Sequence, residues 1–178
     1  MYDFSIPVFE RFVAGNLPSL LHNSQTPEFL KKTFYEALDI LGKVYGPSDF
    51  ERARANIKGL LTSTVSKLRN REIPVDQLSF NVMMGKSISG FSGTTPQHVK
   101  AAKLLQKRGK EIKAGDIISY VKTKTPPNVK PVSLAKPEEI DVDKYLEYAQ
   151  AMFDQMLDAL GFSFDEIMGS TTLDLFWS

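Results

Sequence analysis

The sequence lacks cysteine entirely and contains only two histidines among its 178 residues. Disulfides, thiolate zinc sites and cysteine nucleophiles are therefore excluded, and so few imidazoles argue against a zinc site of any kind. No apolar run approaches the ~20 residues that a membrane-spanning helix needs, and the first residues lack the basic and then apolar order of a signal peptide. These absences predict a cytoplasmic protein with no bound metal and no membrane partner.

Positive and negative charges are unevenly distributed along the chain. Residues 86–130 contain ten Lys or Arg and two acids, whereas residues 131–178 contain two Lys and ten acids. The formal net charge of +1 therefore combines a basic stretch with an acidic one. Such asymmetry concerns binding partners rather than the fold. A polyanion, most simply nucleic acid, is the natural partner of the basic stretch; a solvated helix face is the alternative interpretation.

Helical periodicity predicts two antiparallel helices in the first half of the chain. Thr26 is expected to cap the first helix, with Pro27 at the first helical position. Gly46 and Pro47 end that helix, and Ser48 to Glu51 has the pattern of a capping box for the second. A short turn between two such helices predicts a helical hairpin.

The middle of the chain mixes strand and helix signals. Residues 78–82 and 116–121 predict two short strands. Between them a third helix is expected from Thr95 and Pro96 to Gly109, a residue suited to a helix C-terminus. Residues 122–137, with four Pro and four Lys, are predicted to be a long connection.

A fourth helix is expected from about residue 143 to residue 160, and a capping box at residues 163–166 opens one more turn. The predicted fold class is therefore α+β and mostly helical. It consists of a helical hairpin, a small two-strand element with a third helix, and a long C-terminal helix.

The basic stretch contains a specific order of residues: an aromatic residue, a Thr-Pro-His-Val helix start, small residues, Arg-Gly, and then a Gly-Asp-x-x-Ser-Tyr-Val strand. The residues are Phe91, Thr94, Thr95, Pro96, His98, Val99, Ala101, Ala102, Arg108, Gly109, Gly115, Asp116, Ser119, Tyr120 and Val121. This order resembles the thumb region of archaeal family B DNA polymerases, with Gln97 as an extra residue before the His. The resemblance covers roughly residues 26–178 and is specific only in the middle.

The catalytic motifs of that family are missing from this sequence. Family B polymerases hold two metal ions in the palm through an Asp-Thr-Asp motif and a second Asp followed by Ser-Leu-Tyr-Pro, and neither occurs here. Asp141-Val142-Asp143 is the nearest imitation, and we interpret it as a helix cap. The resemblance thus implies the small subunit of a split polymerase, or an excised thumb domain. It implies no cofactor in this chain and Mg²⁺ in a large catalytic chain.

A thumb grips duplex DNA through phosphate contacts without reading bases, because every sequence must pass. Residues 86–95, rich in Gly, Ser and Thr, and the helix N-terminus after them could offer backbone N–H groups to phosphates. The expected DNA contacts are Lys86, Ser87, Thr94, Thr95, His98, Lys100 and Lys103, with Lys122 and Lys124 as second choices. For His98, the alternative is a neutral residue that orders the loop.

The C-terminus resembles the motif by which replication proteins bind the sliding clamp: Gln, two residues, an aliphatic residue, two residues and two aromatics. Leu173, Phe176 and Trp177 have this spacing, and Ser170 stands where Gln is preferred. One helical turn would place the three large side chains on one side as an anchor for an apolar pocket. The alternative is that these residues pack on the chain's own core.

The predicted organisation is an irregular arm (residues 1–25), a thumb-like DNA-binding domain (residues 26–168) and a clamp-binding-like tail (residues 169–178). Phe4, Ile6, Phe9 and Phe12 of the arm are expected to dock on the large chain. The expected function is a non-catalytic subunit that grips primer–template duplex at the nucleoid and tethers the polymerase to the clamp. A stand-alone clamp adaptor, or a non-specific DNA-binding module without a polymerase partner, remains open.

Overall fold

The computed structural model describes residues 26–91 and 93–169. The helices are α1 (Glu28–Leu41), α2 (Pro47–Arg69), α3 (Gln97–Lys107) and α4 (Val142–Ala159), and the strands are β1 (Phe80–Met83), β2 (Ile117–Lys122) and β3 (Val129–Pro131). Residues 164–169 are helical as well. The predicted α+β, mostly helical fold class is confirmed. The arm with Phe4, Ile6, Phe9 and Phe12 and the tail with Ser170, Leu173, Phe176 and Trp177 lie outside the described residues.

The helical hairpin forms as predicted, but its helices begin differently. Pro27 is the N-cap of α1, and no side chain caps that helix, so the prediction that Thr26 caps it is wrong. Pro47 opens α2, and no side chain caps that helix either, so the predicted capping box is also wrong. The Asp49 carboxylate instead accepts a hydrogen bond from the Tyr45 N–H at 3.2 Å. A proline in the first turn, where no N–H needs an intrahelical partner, replaces the expected cap.

The sheet has three antiparallel strands in the order β1-β2-β3. The prediction of two strands is therefore incomplete, because β3 lies within the segment assigned to a connection. The turn before β3 contains Pro126, Pro127 and Asn128, which has φ +67°. The Asn128 amide group donates to the Lys124 carbonyl at 3.0 Å and closes this turn. The strand tolerates Pro131 because β3 is a short edge strand.

Helix α3 ends as its sequence predicts. Gly109 has φ +89°, a conformation that side chains with a Cβ rarely adopt. The N–H of Lys110 bonds to the Leu105 carbonyl at 3.1 Å, and the N–H of Gly109 bonds to the Gln106 carbonyl at 3.0 Å. These two bonds satisfy the last carbonyls of the helix, and the chain then turns towards β2.

One hydrophobic core joins the hairpin, the sheet and α4. Phe34 of α1 packs on Phe153 of α4 with ring centroids 5.8 Å apart. Phe80 of β1 stacks on Tyr120 of β2 at 5.4 Å, and both lie on the side of the sheet where α4 contributes Tyr145. The sheet is thus held against α4 by aromatic side chains, and α3 packs on β2 and β3.

The caps of the C-terminal helices agree with their sequence interpretation. The Asp141 carboxylate accepts a hydrogen bond from the Lys144 N–H at 3.3 Å and caps α4. The Ser163 hydroxyl oxygen accepts one from the Glu166 N–H at 3.4 Å at the next helical segment. Asp141 is therefore a structural residue, as expected for the nearest imitation of a catalytic motif.

Candidate nucleic-acid interface

The loop before α3 is organised by an aromatic contact. The Lys86 ammonium lies 4.7 Å from the centroid of the Phe91 ring, and the Phe91 ring meets the His98 imidazole edge-on at 6.1 Å. A cation over an aromatic face is attracted by the ring quadrupole. Phe91 therefore connects Lys86 to the first turn of α3, where His98 lies.

His98 fits the loop-ordering alternative better than a cationic phosphate contact. Burial lowers the pKa of His98 from its ordinary value of 6.5, so the imidazole is mostly neutral at pH 7. A neutral imidazole can still donate one N–H to a phosphate oxygen, but it adds no positive charge. Through its contact with Phe91, His98 links the loop to the first turn of α3.

The polar residues of the loop lie at its surface. The hydroxyl oxygens of Ser87 and Ser89 are 3.0 Å apart, at the start of a short 3-10 turn. A Cβ added at Gly90 would lie 3.0 Å from Lys86 Cδ, so glycine leaves room for the lysine stem. Thr94 is exposed and Thr95 is half-buried. The residues predicted from the loop are thus within reach of a ligand.

Helix α3 presents two of the predicted lysines. Val99 and Ala102 are fully buried, whereas Lys100 is half-buried and Lys103 is exposed. Residues three apart on a helix are neighbours on one face. Lys100 and Lys103 therefore form a basic edge along one face of α3.

Lys122, at the end of β2, lies beside this edge. Its ammonium group is 5.9 Å from the Phe80 centroid and 6.0 Å from the Tyr120 centroid. Burial lowers the pKa of Lys122, and the positive charges of Lys144 and Lys100 lower it further. Lysines of α3, β2 and α4 thus act on one another electrostatically.

Lys124 is separated from this group. It is exposed in the turn after β2, and its N–H donates to the Glu139 carbonyl at 3.1 Å. No contact in the described ranges joins Lys124 to Lys100 or Lys122. The two second-choice residues therefore occupy different surroundings.

Acidic side chains from the basic stretch itself and from the stretch that follows neutralise some of its lysines. Lys130 pairs with Glu139, and Lys113 pairs with Glu111 at 3.8 Å. Hydrogen bonding to Lys130 is the main reason that the pKa of Glu139 is lowered. Within residues 26–91 and 93–169, no acidic side chain pairs with Lys86, Lys100, Lys103 or Lys122. Those four lysines lie along the loop, α3 and β2.

Sequence reasoning missed Lys144. The structure places the start of α4 against the end of β2. The Asp141 N–H donates to the Lys122 carbonyl at 3.1 Å, and the Thr123–Ile140 bridge adds a further link. No local signal in the sequence marks this long-range pairing.

Two further properties of the described residues bear on chemistry. They contain no group of three or more His, Asp or Glu placed to hold a metal ion. Nor do they include a helix that is long and apolar enough to cross a membrane.

Comparison with known proteins gives a consistent result. The model of DNA polymerase family B matches residues 20–165. DNA polymerase 1 of Saccharolobus solfataricus is 40% identical over 159 residues, which are 89% of this chain and 18% of that protein. DNA polymerase 1 of Aeropyrum pernix is 40% identical over 151 residues, which are 85% of this chain and 16% of that protein.

The fold is similar to that of a solved polymerase. The structure of the family B DNA polymerase from the hyperthermophilic archaeon Pyrobaculum calidifontis matches with a TM-score of 0.57 at 20% identity, over 75% of this chain and 17% of that one. The chain thus spans less than a fifth of the length of these relatives. Because the family model matches most of the sequence, the chain belongs to DNA polymerase family B.

Proposed function

We propose that this chain is a non-catalytic thumb of a family B DNA polymerase that grips primer–template duplex during DNA replication. Family membership supports the proposal, as does the absence of both palm motifs from the sequence. A large catalytic chain would supply the carboxylates and bind Mg²⁺, which activates the primer hydroxyl and neutralises the triphosphate. This chain would contribute affinity for the duplex, and therefore processivity, rather than a chemical step.

The observation that carries the proposal is the arrangement of lysines around α3. Lys86 reaches the start of the helix through Phe91, Lys100 follows on the helix, and Lys122 lies beside Lys100. Ammonium groups without acidic partners in the described ranges suit phosphates, which are the same in every sequence. A sequence-independent grip is what a polymerase needs behind the growing end.

The tail and the arm extend the proposal to protein partners. The spacing of Leu173, Phe176 and Trp177 supports binding to the sliding clamp, because large apolar anchors provide much of the affinity in such contacts. Phe4, Ile6, Phe9 and Phe12 would dock on the large chain. Together these segments would tether the enzyme to the clamp and assemble the active complex.

Fluorescence anisotropy with labelled primer–template duplexes tests the grip directly. The purified chain should bind duplexes of unrelated sequence with similar affinity. The logarithm of its association constant should fall linearly with the logarithm of salt concentration. Negligible affinity at moderate salt would favour the clamp adaptor. A strong preference for one sequence would contradict a thumb.

The partner is tested by a pull-down from the source cells at low salt, with mass spectrometry of the recovered proteins. Recovery of a larger chain with an Asp-Thr-Asp motif would support the split polymerase. Recovery of the clamp alone would favour the adaptor, and recovery of neither would leave a DNA-binding module.

A further inference from the structure

Lys122, at the end of β2, is affected by the charges of two lysines from other elements. Lys122 belongs to β2, Lys100 to α3, and Lys144 to the first turn of α4. The backbone of Lys122 is fixed against α4 on both sides: its N–H donates to the Tyr145 hydroxyl at 3.0 Å, and its carbonyl accepts from the Asp141 N–H at 3.1 Å. Because Tyr145 follows Lys144 directly, the start of α4 cannot move away from Lys122 without breaking these bonds.

The side chain of Lys122 is held near its neighbours rather than directed into open solvent. Its ammonium group lies about equally far from the Phe80 and Tyr120 rings, at 5.9 and 6.0 Å, and the residue is half-buried. Burial and the charges of Lys144 and Lys100 both disfavour its protonated form. The folded chain therefore keeps like charges close together at an energetic cost.

The acids near these lysines do not neutralise all three. Glu147 pairs with Lys144 at 3.1 Å, with both side chains largely exposed, and Asp141 is used as the cap of α4. Neither Lys100 nor Lys122 has an acidic partner among the described residues. A bound anion would relieve the repulsion, which a cluster without a ligand cannot do.

We propose that Lys100, Lys122 and Lys144 together bind a single phosphate of the duplex backbone. The proposal rests on the thumb function and names a contact within it. It gives the acidic stretch a direct part in binding, because Lys144 lies in that stretch.

The salt dependence of duplex affinity reports how many phosphates the protein contacts. Each phosphate contact contributes about one to the slope of the logarithm of the association constant against the logarithm of salt concentration. Lys144→Gln should weaken binding several-fold, and the triple variant K100Q/K122Q/K144Q should lower the slope by about one. Three separate contacts would lower it by about three and would overturn the proposal. Glu147→Gln, which releases Lys144 from its ion pair, should strengthen binding.

The matched control is the triple variant K32Q/K58Q/K67Q, which removes the same charge from exposed positions of α1 and α2. It should change affinity and slope less than the site variant. Equal effects would mean that net charge alone acts, and would overturn the proposal.

A second measurement separates this site from the thumb function. Titration with inorganic phosphate, followed by NMR, should shift the amide signals of Lys122 and Lys144, and Lys144→Gln should reduce the shifts. If the chain binds duplex, but phosphate does not shift these amide signals and Lys144→Gln does not change duplex affinity, the site is wrong and the thumb function stands. If the chain does not bind duplex but the shifts occur, the site stands as a phosphate site and the thumb function fails. If neither is seen, both are wrong.

Discussion

The hydroxyl of Tyr145 donates a hydrogen bond to the carbonyl oxygen of Leu78 at 2.7 Å. The hydroxyl oxygen of Tyr145 in turn accepts a hydrogen bond from the Lys122 N–H at 3.0 Å. Burial raises the pKa of Tyr145 far above its ordinary value, so the hydroxyl remains protonated near neutral pH and can donate this hydrogen bond. One buried hydroxyl thus joins α4 both to the segment before β1 and to the end of β2, and it positions the lysine of the candidate interface.

Tyr145→Phe should destabilise the protein by about 1–3 kcal/mol, the usual cost of a buried polar group that loses its partner. The Leu78 carbonyl and the Lys122 N–H would both lose the hydrogen bond that they make with the Tyr145 hydroxyl. The measurement is the free energy of unfolding from urea titration followed by circular dichroism. Tyr45→Phe is the control, because Tyr45 is 89% exposed. Equal stability of the two variants would contradict the role given to the hydroxyl.

The pKa of Lys122 makes duplex affinity depend on pH. It is lowered by burial and by Lys144 and Lys100, whereas a bound phosphate favours the ammonium form and raises it again. Affinity should therefore be full below the pKa of the free protein and fall as pH rises through it, before ordinary lysines lose their charge. Tyr120 adds no charge there, because burial and the nearby Tyr148 raise its pKa to about 12. The measurement is anisotropy across alkaline pH at constant ionic strength.

Lys122→Arg is the informative variant for this pH profile. A guanidinium stays protonated throughout the range, so the alkaline loss of affinity should shrink while affinity near pH 7 is kept. Identical profiles for the two proteins would show that Lys122 does not titrate in the interface.

The basic edge of α3 should act on all DNA sequences alike. K100E/K103E is expected to weaken binding to unrelated duplexes by the same factor, because phosphate contacts carry no sequence information. K32E/K58E, on the exposed surfaces of α1 and α2, should have a smaller effect. Binding loss limited to certain sequences would refute the thumb interpretation, and anisotropy with a panel of duplexes measures it.

The tail should be separable from DNA binding. Removal of residues 171–178 is expected to abolish stimulation by the clamp and to leave clamp-free synthesis by the reconstituted polymerase intact. Primer extension with the large chain and Mg²⁺, with and without the clamp, measures both. Leu173→Ala with Phe176→Ala should reproduce the truncation, whereas loss of both activities would argue that the tail packs on the chain's own core.

Local patterns predicted the helices well and the long-range pairings poorly. The apolar faces of α1 to α4 were predictable because each helix buries one side, and the end of α3 because Gly109 can adopt positive φ. The start of α2 was misjudged: a capping-box pattern at residues 48–51 competes with Pro47, and the proline fits the first turn without any side-chain bond. Strand β3 was missed because its three residues, which include Pro131, are too few to show a recognisable strand pattern.

The candidate site was predicted only in part, for a similar reason. Lys86, Lys100, Lys103 and Lys122 stand out because the basic stretch is dense in lysine. Lys144 does not, since its neighbours in sequence are acids and its neighbours in space come from β2. The α4 cap and the Tyr145 hydroxyl create that proximity, and neither leaves a pattern near Lys122 in the sequence.

The pairing of Lys130 with Glu139 lies close to the point where the sign of the charge changes along the chain. Together with the Thr123–Ile140 bridge, it joins the acidic stretch to the strands of the basic stretch. The chain therefore cannot be cut near residue 130 into an independent binding peptide and an independent acidic regulator. Substitutions in the acidic stretch should therefore also affect the basic stretch, because the two stretches share one hydrophobic core and are joined by this ion pair.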